Sequence, residues 1–135
     1  MRRLDQRGMA ALEFCLVSVP IFMLMFAIFD FGRYAITMQS LRRLADAGAR
    51  SIMINCYATA VIQKTTPSCS GDPLSDTQKR DAAPYLYING SSTPSVNATA
   101  GPPITVTASQ SGFSMIMPIW GTTLNAPSAS TKIPY

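Results

Sequence analysis

The feature that most constrains this chain is an apolar run of 21 residues from Met9 to Phe29, in which Glu13 is the only charged residue. A helix of that length is about 31 Å long, which matches the hydrocarbon thickness of a bilayer. A carboxylate inside such a run costs about 2.5–3.5 kcal/mol at mid-membrane and less near the interface, so it is usually retained because a partner needs it. We therefore expect residues 9–30 to form a transmembrane segment whose acidic residue has a function.

The residues before the apolar run add a second constraint. The leader contains Arg2, Arg3 and Arg7, and Gly8 follows it directly, five residues before Glu13. A basic leader, a glycine, an apolar segment and a glutamate at this spacing resemble the start of a type IV prepilin. Basic residues before a span also favour a cytoplasmic N-terminus, which places the rest of the chain on the other side of the membrane.

The resemblance extends to residue 50 and becomes more specific. Residues 7–50, about a third of the chain, are similar to the TadE-like family of pseudopilins from tight-adherence pilus systems. Three positions depart from the family pattern: Cys15 stands where a small alanine is usual, Asp30 replaces the commoner glutamate, and Asp46-Ala47 replaces an Arg-Glu pair. The shared features are Arg7-Gly8, Glu13-Phe14, Pro20, Asp30, Gly32-Arg33 and Gly48-Ala49-Arg50.

The resemblance implies roles for several residues. A membrane prepilin peptidase would cut between Gly8 and Met9, which would make Met9 the new N-terminus. Glu13 would then dock the subunit by pairing with the N-terminal amine of a neighbouring pilin. Pro20 removes one backbone hydrogen bond and is expected to kink the helix, which would let subunits pack in a filament. The implied protein is a minor pseudopilin, a structural subunit for pilus biogenesis and surface attachment.

The same resemblance implies a location and partners. The location is the bacterial inner membrane, with one span and an extracytoplasmic head, and the extracellular pilus is a further location. The partners are the prepilin peptidase and other pilins and pseudopilins of the same system. The alternative is a single-span anchor that presents a small extracytoplasmic binding module of an envelope complex, but such an anchor needs neither Gly8 nor Glu13. A secretory signal peptide is disfavoured, because its apolar core has only about 7–15 residues.

The chain keeps helical spacing after the span. Apolar residues recur at alternating steps of four and three, as expected for one face of a helix. We expect an amphipathic continuation over residues 31–55, so that a single helix from Leu4 to Ile54 would be about 75 Å long. In a pilin-like protein this second half is the spine of the globular head. The apolar seam consists of Tyr34, Met38, Leu41, Ala45, Gly48 and Ile52.

Residues 56–135 change to turns and short strands. We therefore expect an α+β fold, in which a long N-terminal helix carries a small C-terminal head with a short antiparallel sheet. Proline and glycine predict a loop over Thr65–Asp76, and alternation of apolar and polar residues predicts a strand over Ile104–Ala108. The other predicted elements are a strand over Ala83–Ile88, a tight turn at Asn89-Gly90, a loop over Asn97–Pro103, a strand over Phe113–Trp120 and an extended or loosely ordered tail over Asn125–Tyr135.

The cysteines offer a covalent staple for a head with a thin core. Cys56 and Cys69 are separated by twelve residues. Outside the cytoplasmic membrane, a disulfide between them would contribute about 3 kcal/mol on the chain-entropy model. Cys15 lies within the apolar run and is interpreted as a small residue that faces lipid or another helix. The chain has no histidine and its cysteine spacing matches no zinc motif, so we expect no metal site.

Composition argues against catalysis and against nucleic-acid binding. Without histidine no Ser-His or Cys-His nucleophile is possible, and no glycine-rich phosphate loop occurs, so we expect no catalytic residue, cofactor or small-molecule substrate. The net charge of +4 includes the leader, and loss of residues 1–8 leaves eight basic and six acidic side chains. Such a balance does not indicate nucleic acid as a partner. Asp72 and Asp76 are interpreted as turn residues rather than Ca²⁺ ligands.

Overall fold

The computed structural model describes residues 6–88, 92–117, 119 and 121–134, with residues 6–8 described by their backbone alone. A long N-terminal helix carries a small head with a three-stranded antiparallel sheet, so the predicted α+β class is confirmed. The elements are helices α1 (Gln6–Ile52), α2 (Ala58–Ile62) and α3 (Asp76–Ala82), strands β1 (Ser95–Thr99), β2 (Ile104–Ser109) and β3 (Ser128–Ile133), a π-helical turn (Met53–Tyr57) and a 3₁₀ turn (Pro84–Tyr87).

The N-terminal helix extends beyond its predicted end. α1 ends at Ile52, but the chain stays helical through the π-helical turn and α2 to Ile62. Cys56, which lies two residues after the predicted end at Ile54, is therefore inside the helical path. The physical reason is local, because no proline or glycine occurs between Ala49 and Pro67. The helical path ends just before Lys64, which has a positive φ of 54°.

The predicted apolar seam is confirmed as the face of α1 that meets the sheet. Leu41 and Ala45 are fully buried, and Ile52 is 4% exposed. Tyr34 and Met38, nearer to the apolar run, are partly buried. The helical period thus places the seam in the core of the head, where the neighbouring Leu44 and Ala49 are buried as well.

β2 is the central strand and pairs with both neighbours in antiparallel register. Ile104, Val106 and Ala108 are fully buried, which confirms the strand predicted from their alternation. The helix lies close to the sheet at Gly48, where an added Cβ would lie 3.0 Å from Val106 Cγ1 and 3.2 Å from Val96 Cγ1. Glycine at this position therefore lets the backbone of α1 pack directly on two valine side chains.

The segment before β1 is helical where a strand was predicted. The prediction of a strand over Ala83–Ile88 is wrong, because Ala83 follows α3 and the next four residues form the 3₁₀ turn. Pro84 cannot donate to a sheet ladder, and its fixed φ suits the first position of a helical turn. α3 begins at a capping box, in which Ser75 and Gln78 each accept a hydrogen bond from the other's backbone N–H.

The third strand lies in the tail rather than over Phe113–Trp120. No strand forms over the described residues 113–117 and 119, so that prediction is wrong. The tail, predicted to be extended or loosely ordered over Asn125–Tyr135, contains the extended strand β3, which pairs with β2 from Ser128↔Ser109 to Ile133↔Ile104. β3 consists largely of small and polar residues. It is therefore stabilised as a strand by its backbone hydrogen bonds to β2, and not by a hydrophobic pattern of its own.

The predicted loops are mostly present. The loop over Thr65–Asp76 is confirmed up to the start of α3. Within it, Gly71 adopts a φ of 93°, and its N–H and C=O bond to Ala98 in an isolated bridge at the edge of β1. The predicted loop over Asn97–Pro103 is shorter than expected, because its first three residues belong to β1. The predicted turn at Asn89-Gly90 lies outside the described residues.

A buried lysine holds α3 against the preceding loop. Lys79 is 7% exposed, donates a hydrogen bond to Asp72 and lies 3.7 Å from Asp76. Asp72 also accepts a hydrogen bond from the backbone of Leu74 at 3.1 Å, which confirms its interpretation as a turn residue. The hydrogen bond to Asp72 raises the pKa of Lys79 above its usual 10.5, and burial raises the pKa of Tyr87 above its usual 10.0.

Candidate functional site

The first half of α1 presents a continuous apolar surface. The large apolar side chains from Met9 to Phe29 are 46–71% exposed. Soluble monomers rarely expose contiguous apolar patches of more than a few hundred Å². By its length and composition α1 is able to cross a membrane, and none of its most apolar window is buried within the protein. This surface therefore needs lipid or other apolar helices around it.

The residues for which the sequence resemblance implies processing and docking lie in the first turns of this helix. Gly8, Met9 and Glu13 all belong to α1, and Gly8 and Glu13 are separated by about 7.5 Å along the helix axis. Met9 is 67% exposed and Glu13 is exposed as well. Where side chains are described, Glu13 forms no ion pair with another part of the chain. Its carboxylate is thus accessible to a group from another molecule.

Pro20 lies in the middle of the same surface, and α1 continues through it. Because proline has no N–H, the carbonyl of Leu16 lacks its usual helical donor. Two residues before the proline, Ser18 donates from Oγ to the carbonyl of Cys15 at 3.2 Å. Cys15 is exposed and is a free thiol. The kink at Pro20 stays a prediction.

The apolar surface ends at a buried carboxylate. Asp30 is only 1% exposed. Its oxygens accept hydrogen bonds from the backbone N–H of Ile116 at 3.1 and 2.9 Å and from that of Met117 at 2.9 Å. Arg33 Nη1 lies 3.6 Å from Asp30 Oδ1 and balances its charge. Hydrogen bonds to a charged group typically contribute about 1.5–3 kcal/mol each, so this contact is a strong link between α1 and the head.

An aromatic contact fastens the head to the next turn of α1. The guanidinium carbon of Arg33 lies 5.5 Å from the centroid of the Phe113 ring, within the range of a cation–π interaction. The rings of Tyr34 and Phe113 are 6.1 Å apart at an interplanar angle of 57°. Together with the hydrogen bonds of Asp30, these contacts fix the head directly beyond the apolar run. The orientation of the head relative to α1 is therefore set by packing.

Further contacts hold the head along the second half of α1. Asp46 accepts a hydrogen bond from Thr131 in β3 at 2.8 Å. One and a half turns later, Ser51 donates from Oγ to the carbonyl of Pro73 at 2.8 Å. Both bonds join the helix to segments that are distant in the sequence. The helix thus serves as the spine of the head over several turns.

The predicted disulfide between Cys56 and Cys69 is present. It joins the π-helical turn to the loop that follows α2, with the two Cα atoms 6.0 Å apart. Cys69 is 4% exposed, whereas Cys56 is partly buried. The bridge lies about 39 Å along the helical path from Asp30, well away from the apolar surface.

Sequence reasoning did not identify Asp30 as the link between the helix and the head. The available signal was its position at the end of the predicted transmembrane segment, because an ionisable residue within such a segment usually has a partner. Its partners, the N–H groups of Ile116 and Met117, carry no side-chain signature and come from far along the chain. The local sequence therefore indicated that Asp30 has a partner, but it did not identify the groups that donate to it.

Residues 8–50 match the model of a protein family described as TadE-like protein. The match covers about a third of the chain, from the start of the apolar surface through most of the helical spine, and it confirms the resemblance drawn from the sequence. The family is one of structural, pilus-related proteins rather than enzymes. No curated protein and no solved structure matches the chain.

Proposed function

We propose that this protein is a minor pseudopilin of a tight-adherence, type IV-like pilus system, and that it serves pilus biogenesis and surface attachment. The observation that carries the proposal is the exposed apolar surface of α1, with Glu13 five residues after Gly8. The same helix forms the spine of the head, as a pilin subunit requires. The match of residues 8–50 to the TadE-like family supports this assignment.

In this proposal residues 1–8 are a leader that a prepilin peptidase removes. The enzyme cuts between Gly8 and Met9, and a glycine there lets the peptidase reach the backbone without a side chain in the way. Cleavage removes the arginines of the leader and leaves a free amine on Met9. That amine then lies at the apolar end of α1, close to the start of the exposed surface.

Glu13 docks the mature subunit in the proposed assembly. Its carboxylate pairs with the N-terminal amine of a neighbouring subunit, inside an environment of apolar helices. Removing each charge from water costs several kcal/mol, and only the attraction between the two in a low dielectric offsets this cost. A subunit therefore docks stably only in the register where its acid meets an amine. The exposure of Glu13 supports the proposal, because the carboxylate has no ion-pair partner among the described side chains of its own chain.

The proposed topology follows from charge and redox chemistry. Residues 9–30 cross the bacterial inner membrane with the N-terminus in the cytoplasm, and residues 31–55 continue as the amphipathic helix. Residues 56–135 complete the extracytoplasmic head. The basic leader supports this orientation. The disulfide between Cys56 and Cys69 supports an oxidising location for the head, because such bridges are rare in the cytoplasm.

The test is the N-terminal residue of the protein in cells with and without the prepilin peptidase. Mass spectrometry should find Met9 at the N-terminus when the peptidase is present and the intact leader when it is absent. Gly8→Leu should block cleavage in the presence of the peptidase. Gly32→Leu is the matched control, because no atom lies within 4 Å of an added Cβ there, and this variant should be cut normally.

Two results would contradict the proposal in different ways. An intact leader in cells that contain the peptidase favours a single-span anchor that presents a binding module. An N-terminus beyond Phe29 indicates a signal peptide, in which case the apolar run is absent from the mature protein.

A further inference from the structure

The connection between β2 and β3, residues 110–127, extends to the end of the apolar surface of α1. We call its described residues 113–117 and 119 the basal loop. Two isoleucines in it project outward, Ile116 with 71% and Ile119 with 59% of their surface exposed. No charged residue occurs anywhere from Asn89 to Thr131. The basal loop therefore exposes apolar side chains and has no charged side chain that would favour its hydration.

The hydrogen bonds of Asp30 fix the height of the basal loop. The backbone nitrogens of Ile116 and Met117 lie 2.9 Å from its carboxylate. Asp30 directly follows Phe29, the last residue of the apolar run, which is itself 65% exposed. When α1 is inserted in a bilayer, the basal loop consequently lies at the level where the hydrocarbon ends and the headgroups begin.

The backbone of the basal loop is also suited to an environment with little water. Three consecutive amides donate to side chains of the protein, Met115 to Asn125 Oδ1 at 3.1 Å, and Ile116 and Met117 to Asp30. A loop in water has no need of such acceptors, because solvent satisfies its N–H groups. Near hydrocarbon an unsatisfied N–H is costly, so non-helical backbone there requires protein acceptors.

We propose that the basal loop inserts Ile116 and Ile119 into the interface of the bilayer that holds α1. Lipid is the partner because the exposed isoleucines continue the apolar surface of the helix, and because the loop offers no charge for recognition by another protein. The head is thus held to the membrane by a second, shallow anchor, which limits the tilt of α1 and the head relative to the membrane plane. This inference rests on the membrane insertion contained in the proposed function, but not on cleavage or docking.

Trp120 provides a native reporter, because it is the only tryptophan of the chain and directly follows Ile119. The full-length protein is reconstituted in phosphatidylcholine vesicles that carry bromine on the acyl chains, either near the headgroups or near the chain ends. Trp120 fluorescence should be quenched more strongly by the shallow bromine than by the deep one. The double variant Ile116→Ser/Ile119→Ser should lose this quenching and become accessible to aqueous acrylamide.

The matched control changes two isoleucines at the other end of the helix. Ile54 and Ile62 are 71% and 81% exposed, and Ile62 lies about 48 Å along the helical path from Asp30. Ile54→Ser/Ile62→Ser should keep the quenching of the wild type. Absence of lipid quenching in the wild type, or equal quenching in all three proteins, overturns the proposal.

Flotation with the vesicles separates this inference from the proposed function. Wild-type protein that floats but shows no shallow quenching refutes the basal anchor and leaves the membrane span intact. Protein that does not float refutes both the anchor and the span. Failure of cleavage after Gly8 contradicts the pseudopilin assignment alone, because the basal loop needs only an inserted α1.

Discussion

The backbone N–H of Ile116 donates a hydrogen bond of 2.9 Å to the carboxylate of Asp30, which lies 86 residues earlier in the chain. This bond joins the boundary of the apolar surface to the connection between the two last strands. A carboxylate that is 1% exposed is tolerated here because two amides and a guanidinium surround it. The start of the head is therefore fixed to the helix by a polar contact and not by apolar packing alone.

Asp30→Asn should weaken this link. The amide keeps one acceptor but places an N–H₂ group near backbone donors, and it removes the charge that strengthens the bonds. We expect the free energy of unfolding of the head to fall by about 2 kcal/mol. Urea denaturation in detergent micelles, followed by Trp120 fluorescence, measures the change. Asp81→Asn, at an exposed position of α3, should leave the midpoint unchanged; equal midpoints for all three proteins would remove Asp30 from this role.

Two glycines of α1 should respond oppositely to alanine. A Cβ at Gly48 would lie 3.0 Å from Val106 Cγ1, so Gly48→Ala forces buried side chains apart and should lower stability by about 1–2 kcal/mol, despite the higher helix propensity of alanine. Gly32 has no atom within 4 Å of an added Cβ, so Gly32→Ala should be neutral or stabilising by up to about 1 kcal/mol. Thermal unfolding of both variants compares them, and a stabilised Gly48→Ala would contradict the close approach.

The disulfide should be the main covalent support of the head. Alkylation without reduction should modify Cys15 and leave Cys56 and Cys69 unmodified in protein recovered from intact cells. Cys56→Ser/Cys69→Ser should lower the free energy of unfolding by about 3 kcal/mol. Cys15→Ser is the control and should not change the urea midpoint. Alkylation of all three cysteines in the unreduced protein would show that the bridge does not form in the cell.

The stability of the head should decrease at alkaline pH. The raised pKa of Lys79 means that its contribution is complete below pH 10.5 and is lost as the pH rises through the folded-state value. Tyr87 acts in the same direction, because burial favours the neutral phenol while the unfolded chain releases its proton near pH 10.0. The urea midpoint, measured in the Cys15→Ser background to prevent thiol–disulfide exchange, should therefore fall above about pH 10.

Substitutions can show which residues cause this decrease in stability at alkaline pH. Lys79→Met should flatten part of the fall, and Tyr87→Phe should flatten the remainder. Lys132→Met alters an exposed lysine of β3 and should leave the pH profile as it is in the parent protein. An unchanged profile in Lys79→Met would mean that the buried ion pair with Asp72 does not couple folding to protonation.

Local periodicity accounts for the elements that the sequence predicts well. The seam through Leu41 and Ala45 repeats with the period of a helix, and Ile104, Val106 and Ala108 alternate with the period of a strand, so neighbouring residues alone identify both. The pairing of Cys56 and Cys69 was predictable because each had no other chemically reasonable partner outside the membrane.

The elements that were mispredicted depend on distant partners. β3 contains Ser, Ala, Thr and Lys, and it becomes a strand because β2 offers it a ladder. Phe113 to Met117 has a strand-like apolar composition, yet Asp30 and Asn125 take three of its amides. No short window of the sequence contains both Asp30 and Ile116, or both β2 and β3. The same holds for the link between the apolar surface and the head, whose sequence signal was limited to an acidic residue after the apolar run.

Glu13→Ala and Glu13→Gln should impair pilus formation without affecting insertion or cleavage. Removal of a carboxylate from an apolar helix makes insertion easier, so lost function cannot result from a failure to enter the membrane. What is lost is the partner of a buried amine on a neighbouring subunit, and this defect arises only when subunits meet. Pilus counts on cells and co-purification with other pilins measure the effect, alongside the abundance and the N-terminus of each variant.

Ser18→Ala is the matched control for Glu13, because it also removes a polar group from the exposed apolar surface. Its hydroxyl bonds to the carbonyl of Cys15 within the same helix and carries no charge, so it cannot form the ion pair proposed for Glu13. Ser18→Ala should therefore assemble normally, while both Glu13 variants fail despite normal abundance. Glu13→Gln is the more informative of the two, since it keeps the size and one acceptor oxygen of the side chain while it removes the charge. Wild-type pilus formation in both Glu13 variants would exclude a docking role for the carboxylate and favour a plain membrane anchor.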